Sequence, residues 1–129
     1  MATIKQFEDL EIWQNARTIC IKVNALTKKE SFRKDFSLVD QIRRSSGSSM
    51  DNIAEGFERD GNREFIQFLN ISKGSIGETR SQLYRAYDNG YINEQELDEN
   101  KSLCLSLSKQ IRSFSDYLKQ SEYKGHKFK

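Results

Sequence analysis

Six residues between Gln41 and Arg59 recur at steps of three and four: Gln41, Arg44, Ser48, Asn52, Glu55 and Arg59. That spacing sets them on one face of a helix. A second line follows, with Arg63, Gln67, Asn70, Lys73, Gly77 and Arg80. Polar lines on helices are usually solvated faces, held by exposed pairs of a few tenths of a kcal/mol each. These lines favour Gln, Asn, Ser and Arg over the usual Lys and Glu, and such residues make directed hydrogen bonds suited to an interface or a buried network. Arginines gathered on one face also grip phosphate through their forked guanidinium groups. Arg43, Arg44, Arg59, Arg63, Lys73 and Arg80 are therefore the candidate nucleic-acid contacts, with Lys28, Lys29, Arg33 and Lys34 as helpers. Aromatic interleaving of the kind that stacks single-stranded bases is absent from both faces.

Catalytic chemistry finds little to work with. The chain has one histidine, His126, close to its C-terminus, and two cysteines, Cys20 and Cys104. A carboxylate di-iron centre needs Glu-x-x-His pairs projecting inward from two helices, and His126 has no carboxylate three residues before it. A serine or cysteine nucleophile would lack a fixed imidazole base. Gly74 and Gly77 do not end in the Gly-Lys-Ser/Thr of a phosphate loop. We expect no catalytic residues, no metal and no cofactor. The cysteines fall on or beside apolar stripes and read as small core residues in a reducing compartment, with a disulfide between them the minor alternative.

Four helices must position these lines. Apolar residues recur at helical spacing through Ile12, Ala16, Ile19, Val23 and Leu26; from about Phe36 to Phe57; through Phe65, Leu69, Ser72, Ile76, Thr79, Leu83 and Ala86; and from Leu97 to Leu118 through Cys104, Leu107 and Ile111. No segment sustains a period of two. The second stripe carries Ser46 and Ser49 where the others carry Leu or Ile, and small residues let neighbouring backbones approach. Gly74 and Gly77 cost up to about 1 kcal/mol each relative to alanine in a helix, which points to close packing or an approaching partner there.

Lys28 to Asp35 reads as the first loop and Asp60-Gly61-Asn62 as a tight turn. Gly90 sits where a left-handed helix cap is expected, and Asn93 with Glu96 resembles a capping box. Proline, the usual helix breaker, is absent from all 129 residues. The expected fold is all-α, an antiparallel up-down four-helix bundle over residues 1–121 with a basic, flexible tail at 122–129.

The formal net charge, with 21 basic and 19 acidic groups, is only +2. It hides alternation: residues 36–60 and 91–118 are each −2, whereas 119–129 are +3. An anionic partner must therefore be met by a local patch. No run approaches the roughly 20 apolar residues that span a bilayer, and MATIKQFEDL lacks the form of a signal peptide. A cytoplasmic protein with no membrane partner is expected.

FEDLEIWQNA (Phe7–Ala16), QIRRSSGSSMDNIAEG (Gln41–Gly56), EFIQFLNISKGSIGE (Glu64–Glu78) and NGYI (Asn89–Ile92) together resemble the 23S rRNA-intervening-sequence protein family. These bacterial four-helix-bundle proteins were first noted as reading frames inside insertions in 23S rRNA genes. The resemblance implies a homopentameric barrel of bundles with a central opening. It also implies kinship with the accessory variability protein of diversity-generating retroelements, which binds nucleic acid and a reverse transcriptase through basic surface. Carried over by position, the family's arginine pair is Arg43 and Arg44, and its structural motif falls on Gln41, Asn52, Glu55, Gly56 and Glu78. This chain departs from the pattern in its first loop, where proline usually precedes an acidic residue, and at Ser45 and Ser46, where alanine is commoner.

Two functions follow. One is a non-enzymatic oligomer that binds RNA or DNA or serves a ribonucleoprotein. The other is an assembly or adaptor module, its arginines engaged in contacts with a protein partner or further copies of the chain.

Overall fold

The structure, a computed structural model, describes residues 3–121. The basic segment 122–129, with His126, lies outside the described residues. After a single 3-10 turn at Phe7–Asp9 come α1 (Glu11–Thr27), α2 (Glu30–Arg33), α3 (Phe36–Glu58), α4 (Asn62–Asp88) and α5 (Glu94–Ser121). The described residues hold no strand, so the all-helical expectation holds.

The apolar stripes become one core. Helix α1 buries Ile12, Ala16, Ile19, Val23 and Leu26. All seven positions of the cleanest repeat, Phe65 to Ala86, are buried on α4. The five apolar ones meet Ile42 and Ile53 of α3 and Leu107, Ile111 and Leu118 of α5 in a single cluster. Each fully buried Leu, Ile or Phe contributes about 1.5–3 kcal/mol, which fixes the facing of each helix far more firmly than any surface pair.

Local caps set the helix ends. Gly90 adopts φ +77°, and Tyr91 N donates to Ala86 O at 2.9 Å across it. A residue with a Cβ pays a steric penalty in that region, which is why glycine ends α4. Glu96 N donates to Asn93 Oδ1 at 2.8 Å, and Asn93 N donates to Glu96 Oε1 at 2.9 Å, completing the capping box at the start of α5.

The first connection departs from expectation. Lys28 to Asp35 is no simple polar loop: it contains α2, and Phe32 is fully buried, stacked on Tyr91 with ring centroids 5.2 Å apart. Tyr91 donates its hydroxyl to Asp35 Oδ2 at 2.9 Å, while Asp35 Oδ1 accepts from Leu38 N to cap α3. Lys29 Nζ lies 2.6 Å from Glu96 Oε1. One aromatic in a charged segment produces no periodicity, so the pattern conceals the anchor.

These contacts carry a pH signature. Asp35 is held below the usual carboxylate range by the Leu38 amide and then by the Tyr91 hydroxyl. Burial pushes Glu96 up, but the Lys29 ammonium and the Asn93 amide outweigh it and leave its carboxyl below normal. A depressed folded pKa adds stability above the unfolded value, near 4, and loses it as pH falls through the folded value. Urea midpoints should therefore fall as pH drops below about 4, and more steeply in the native chain than in Asp35→Asn/Glu96→Gln. Equal acid limbs in the two proteins would contradict this. Tyr91 is raised, first by the Asp35 hydrogen bond, so its contribution is present at neutral pH and lost only in strong alkali.

Candidate functional site

The serine stripe makes a buried polar seam between α3 and α4. Ser45 Oγ lies 2.6 Å from Gln82 Oε1 and 2.7 Å from Thr79 Oγ1. Ser48 and Ser75 hydroxyls meet at 2.9 Å, and Ser72 donates to the Ser49 carbonyl at 2.7 Å. A side chain as short as serine reaches the facing backbone only where the helices approach closely. Further along, Gly56 is pressed against the Cβ of Phe68 and the ring of Phe65. At the other end, Arg85 Nη1 donates to Gln41 Oε1 at 3.0 Å. Partner numbers on α4 fall as those on α3 rise.

The small-residue reading of Ser46 and Ser49 thus describes a real approach of backbones, Ser46 toward α1 and Ser49 toward α4. Gly56 adds a tight contact that reading did not include; Gly74 and Gly77 do not share it. A Cβ built on either would meet nothing within 4 Å. Close packing among the described residues is therefore not the reason for those two glycines.

The candidate cations do not form one face. Arg43 turns toward α1, donating through Nε and Nη2 to Thr27 Oγ1 at 3.1 and 3.0 Å. Arg44 points outward and pairs with Asp40 at 3.0 Å. Arg59 is tied to Glu55 at 2.7 Å, reaches Glu64 at 3.8 Å, and lies over the Phe68 ring. Arg63 is exposed next to Glu64. Lys73 opens onto a groove shared with α5, and Arg80 is close enough to Cys104 of α5 to act on its thiol. Arg59 and Arg63 share the α3–α4 turn, while Lys73 and Arg80, two helical turns apart, share the α5 side of α4. Among the described residues, Arg63, Lys73 and Arg80 form no ion pair.

The motif residues act locally. Asn52 donates to the carbonyl and hydroxyl of Ser48. Glu55 holds Arg59, and Glu78 Oε2 accepts weakly from Gln82 at 3.4 Å. The sequence lines omitted Thr27, Ser75, Gln82 and Arg85. Ser75 and Gln82 do recur at helical spacing with Thr79 of the core stripe, so that half of the seam left a signal.

Cys20 and Cys104 are both free. Cys20 donates to the Ser46 carbonyl at 3.1 Å from the α1 side. Burial pushes the Cys104 thiol up to about 11, so it stays protonated at neutral pH. Among the described residues no group of three or more His, Cys, Asp or Glu side chains could hold a metal ion. No described helix is long and apolar enough to cross a membrane.

An all-helical protein whose polar side chains are spent on helix contacts, with exposed cations around them, is the class defined by fold and site. The chain belongs to the 23S rRNA-intervening sequence protein family, whose model matches residues 8–113. A solved structure of a protein of unknown function from the S23 ribosomal protein family of Bacteroides thetaiotaomicron is similar, with a TM-score of 0.74 and 21% identity. The match covers 81% of this chain and 97% of that one. At that identity the likeness concerns the fold. No curated protein matches the chain.

Proposed function

We propose that this chain is a non-enzymatic, oligomeric protein of the cytoplasm that binds nucleic acid or serves a ribonucleoprotein, built as an antiparallel up-down four-helix bundle. The bundle is supported by opposed pairings: Asn15 with Gln110 and Lys22 with Glu99 between α1 and α5, and Asn62 with the Leu118 carbonyl between α4 and α5. The observation that carries the binding role is that Arg63 and Lys73 are exposed without a carboxylate partner among the described residues. Such cations are free to displace counterions from a phosphate backbone. The family's link to 23S rRNA insertions makes RNA the first probe.

Binding of RNA or DNA should weaken with salt, and each phosphate contact contributes about 0.7–0.9 to the logarithmic slope. Arg63→Ala/Lys73→Ala, with its helical spectrum retained, should bind more weakly and with a slope lower by about 1–2. Arg43→Ala/Arg44→Ala, whose guanidinium groups are engaged by Thr27 and Asp40, should change it less. No binding at low salt to any structured or single-stranded nucleic acid would sink the proposal.

Self-assembly is favoured separately by α4. Gly74 and Gly77 face open space, and Ile71 beside them is 51% exposed. The pairing of Arg59 with Glu55 also suits a surface whose arginines are already engaged. On this reading a further copy of the chain packs on that strip, and the family resemblance suggests five copies. Sedimentation at tens of micromolar should give an oligomer, and Gly74→Leu/Gly77→Leu should stay folded while sedimenting as a smaller species. A native chain that sediments as a monomer would remove the assembly.

A further inference from the structure

The groove between α4 and α5 has a volume of about 240 Å³ and is lined by Asn70 and Lys73 from one helix and by Arg112, Ser115, Asp116 and Lys119 from the other. Ser115 is only 5% exposed, and its hydroxyl has no hydrogen-bond partner among the described residues. That is unusual, because a helical serine readily returns its proton to the carbonyl one turn back. A buried donor left unmatched is destabilising, so its retention points to something that binds it. The two other unpartnered buried side-chain atoms among the described residues, Asn62 Oδ1 and Asn100 Oδ1, are acceptors, with the wrong polarity for an anion.

The charges around Ser115 agree with that polarity. Lys119 lies 4.0 Å from Asp116, a loose pair, while Lys73 and Arg112 have no ion pair among the described residues. Three cations against one carboxylate leave an excess of positive charge over a concave surface, which concentrates the field. A phosphate group offers several oxygens at once, matching the Arg112 guanidinium, two ammonium groups and one hydroxyl donor.

We propose that this groove binds a single phosphate group, with Ser115 donating to one oxygen and Lys73, Arg112 and Lys119 neutralising the charge. The inference rests on the nucleic-acid reading only in taking that phosphate to belong to a polynucleotide; free phosphate would use the same chemistry.

The test is an NMR titration of the full chain, labelled with nitrogen-15, using inorganic phosphate at constant ionic strength and, separately, a ten-nucleotide single-stranded RNA. Inorganic phosphate should give saturable shifts in the amides of residues 70–73 and 111–119. Its affinity should fall at least tenfold in Lys73→Gln/Arg112→Gln and about threefold in Ser115→Ala, a variant that keeps the fold because it removes an unmatched donor. Shifts that never saturate, or that are unchanged in the double variant, overturn the site even if RNA binds elsewhere. Saturable phosphate shifts without any RNA effect on those amides uphold the phosphate site and overturn its polynucleotide source.

Discussion

Phe32→Ala should destabilise the fold by about 3–5 kcal/mol, the range for truncating a fully buried phenylalanine. The side chain has no exposed surface and is the sole buried residue of α2. Its removal leaves a void under Tyr91 and loosens three contacts at once. The Tyr91 ring loses its stacking partner, the Tyr91 hydroxyl loses its fixed approach to Asp35, and the segment carrying Lys29 to Glu96 loses its anchor. Domains of this size are commonly stable by only about 5–15 kcal/mol. Urea denaturation monitored by circular dichroism should show the midpoint falling by the loss divided by the m value, about 1–3 kcal/mol per molar for a small protein. A loss below about 1 kcal/mol would mean that the α1–α3 connection frays independently of the core.

The second large effect concerns glycine. Gly56→Ala should destabilise the protein even though alanine is the better helix former by about 1 kcal/mol. The new Cβ would stand 2.7 Å from the Phe68 Cβ and 2.9 Å from Phe65 Cδ1. Neither neighbour is the loose end of a flexible chain, so α3 and α4 must separate. Overpacking of this kind costs about 1–3 kcal/mol, occasionally more, and separation also stretches the Ser72 bond to the Ser49 carbonyl. Gly56→Leu should be worse. Gly47→Ala, Gly74→Ala and Gly77→Ala meet nothing within 4 Å and should each stabilise the monomer by up to about 1 kcal/mol. Thermal unfolding of the four alanine variants separates these signs directly. A stabilising Gly56→Ala would mean that the helices are not in contact at that point.

That contrast marks the limit of legibility for the candidate site. Gly47, Gly56, Gly74 and Gly77 all sit inside helical repeats, and their spacing does not distinguish the one pressed against a facing ring from three in open space. The basic lines behaved similarly. Arg43 and Arg44 are adjacent, yet one turns to Thr27 on α1 and the other pairs outward with Asp40. Successive helical residues differ by about 100°, so a sequence pair of arginines is not a spatial pair. The serines were easier to place, because Ser46, Ser49 and Ser72 occupy positions that apolar periodicity had already turned inward.

The sequence alone determined the all-helical class, the facing of the four long helices and the caps at Gly90 and at Asn93 with Glu96. Periodicity acts through apolar burial, and capping acts through bonds that reach only three or four residues along the chain. The tertiary structure decided that Phe32 anchors the first connection, that Gly56 is the tight glycine, that Arg43 turns to Thr27 on α1, and that the Ser115 hydroxyl has no partner among the described residues. Each of these depends on which atoms a neighbouring helix brings within a few ångströms. That distance is set by how the whole core packs, and no local spacing encodes it.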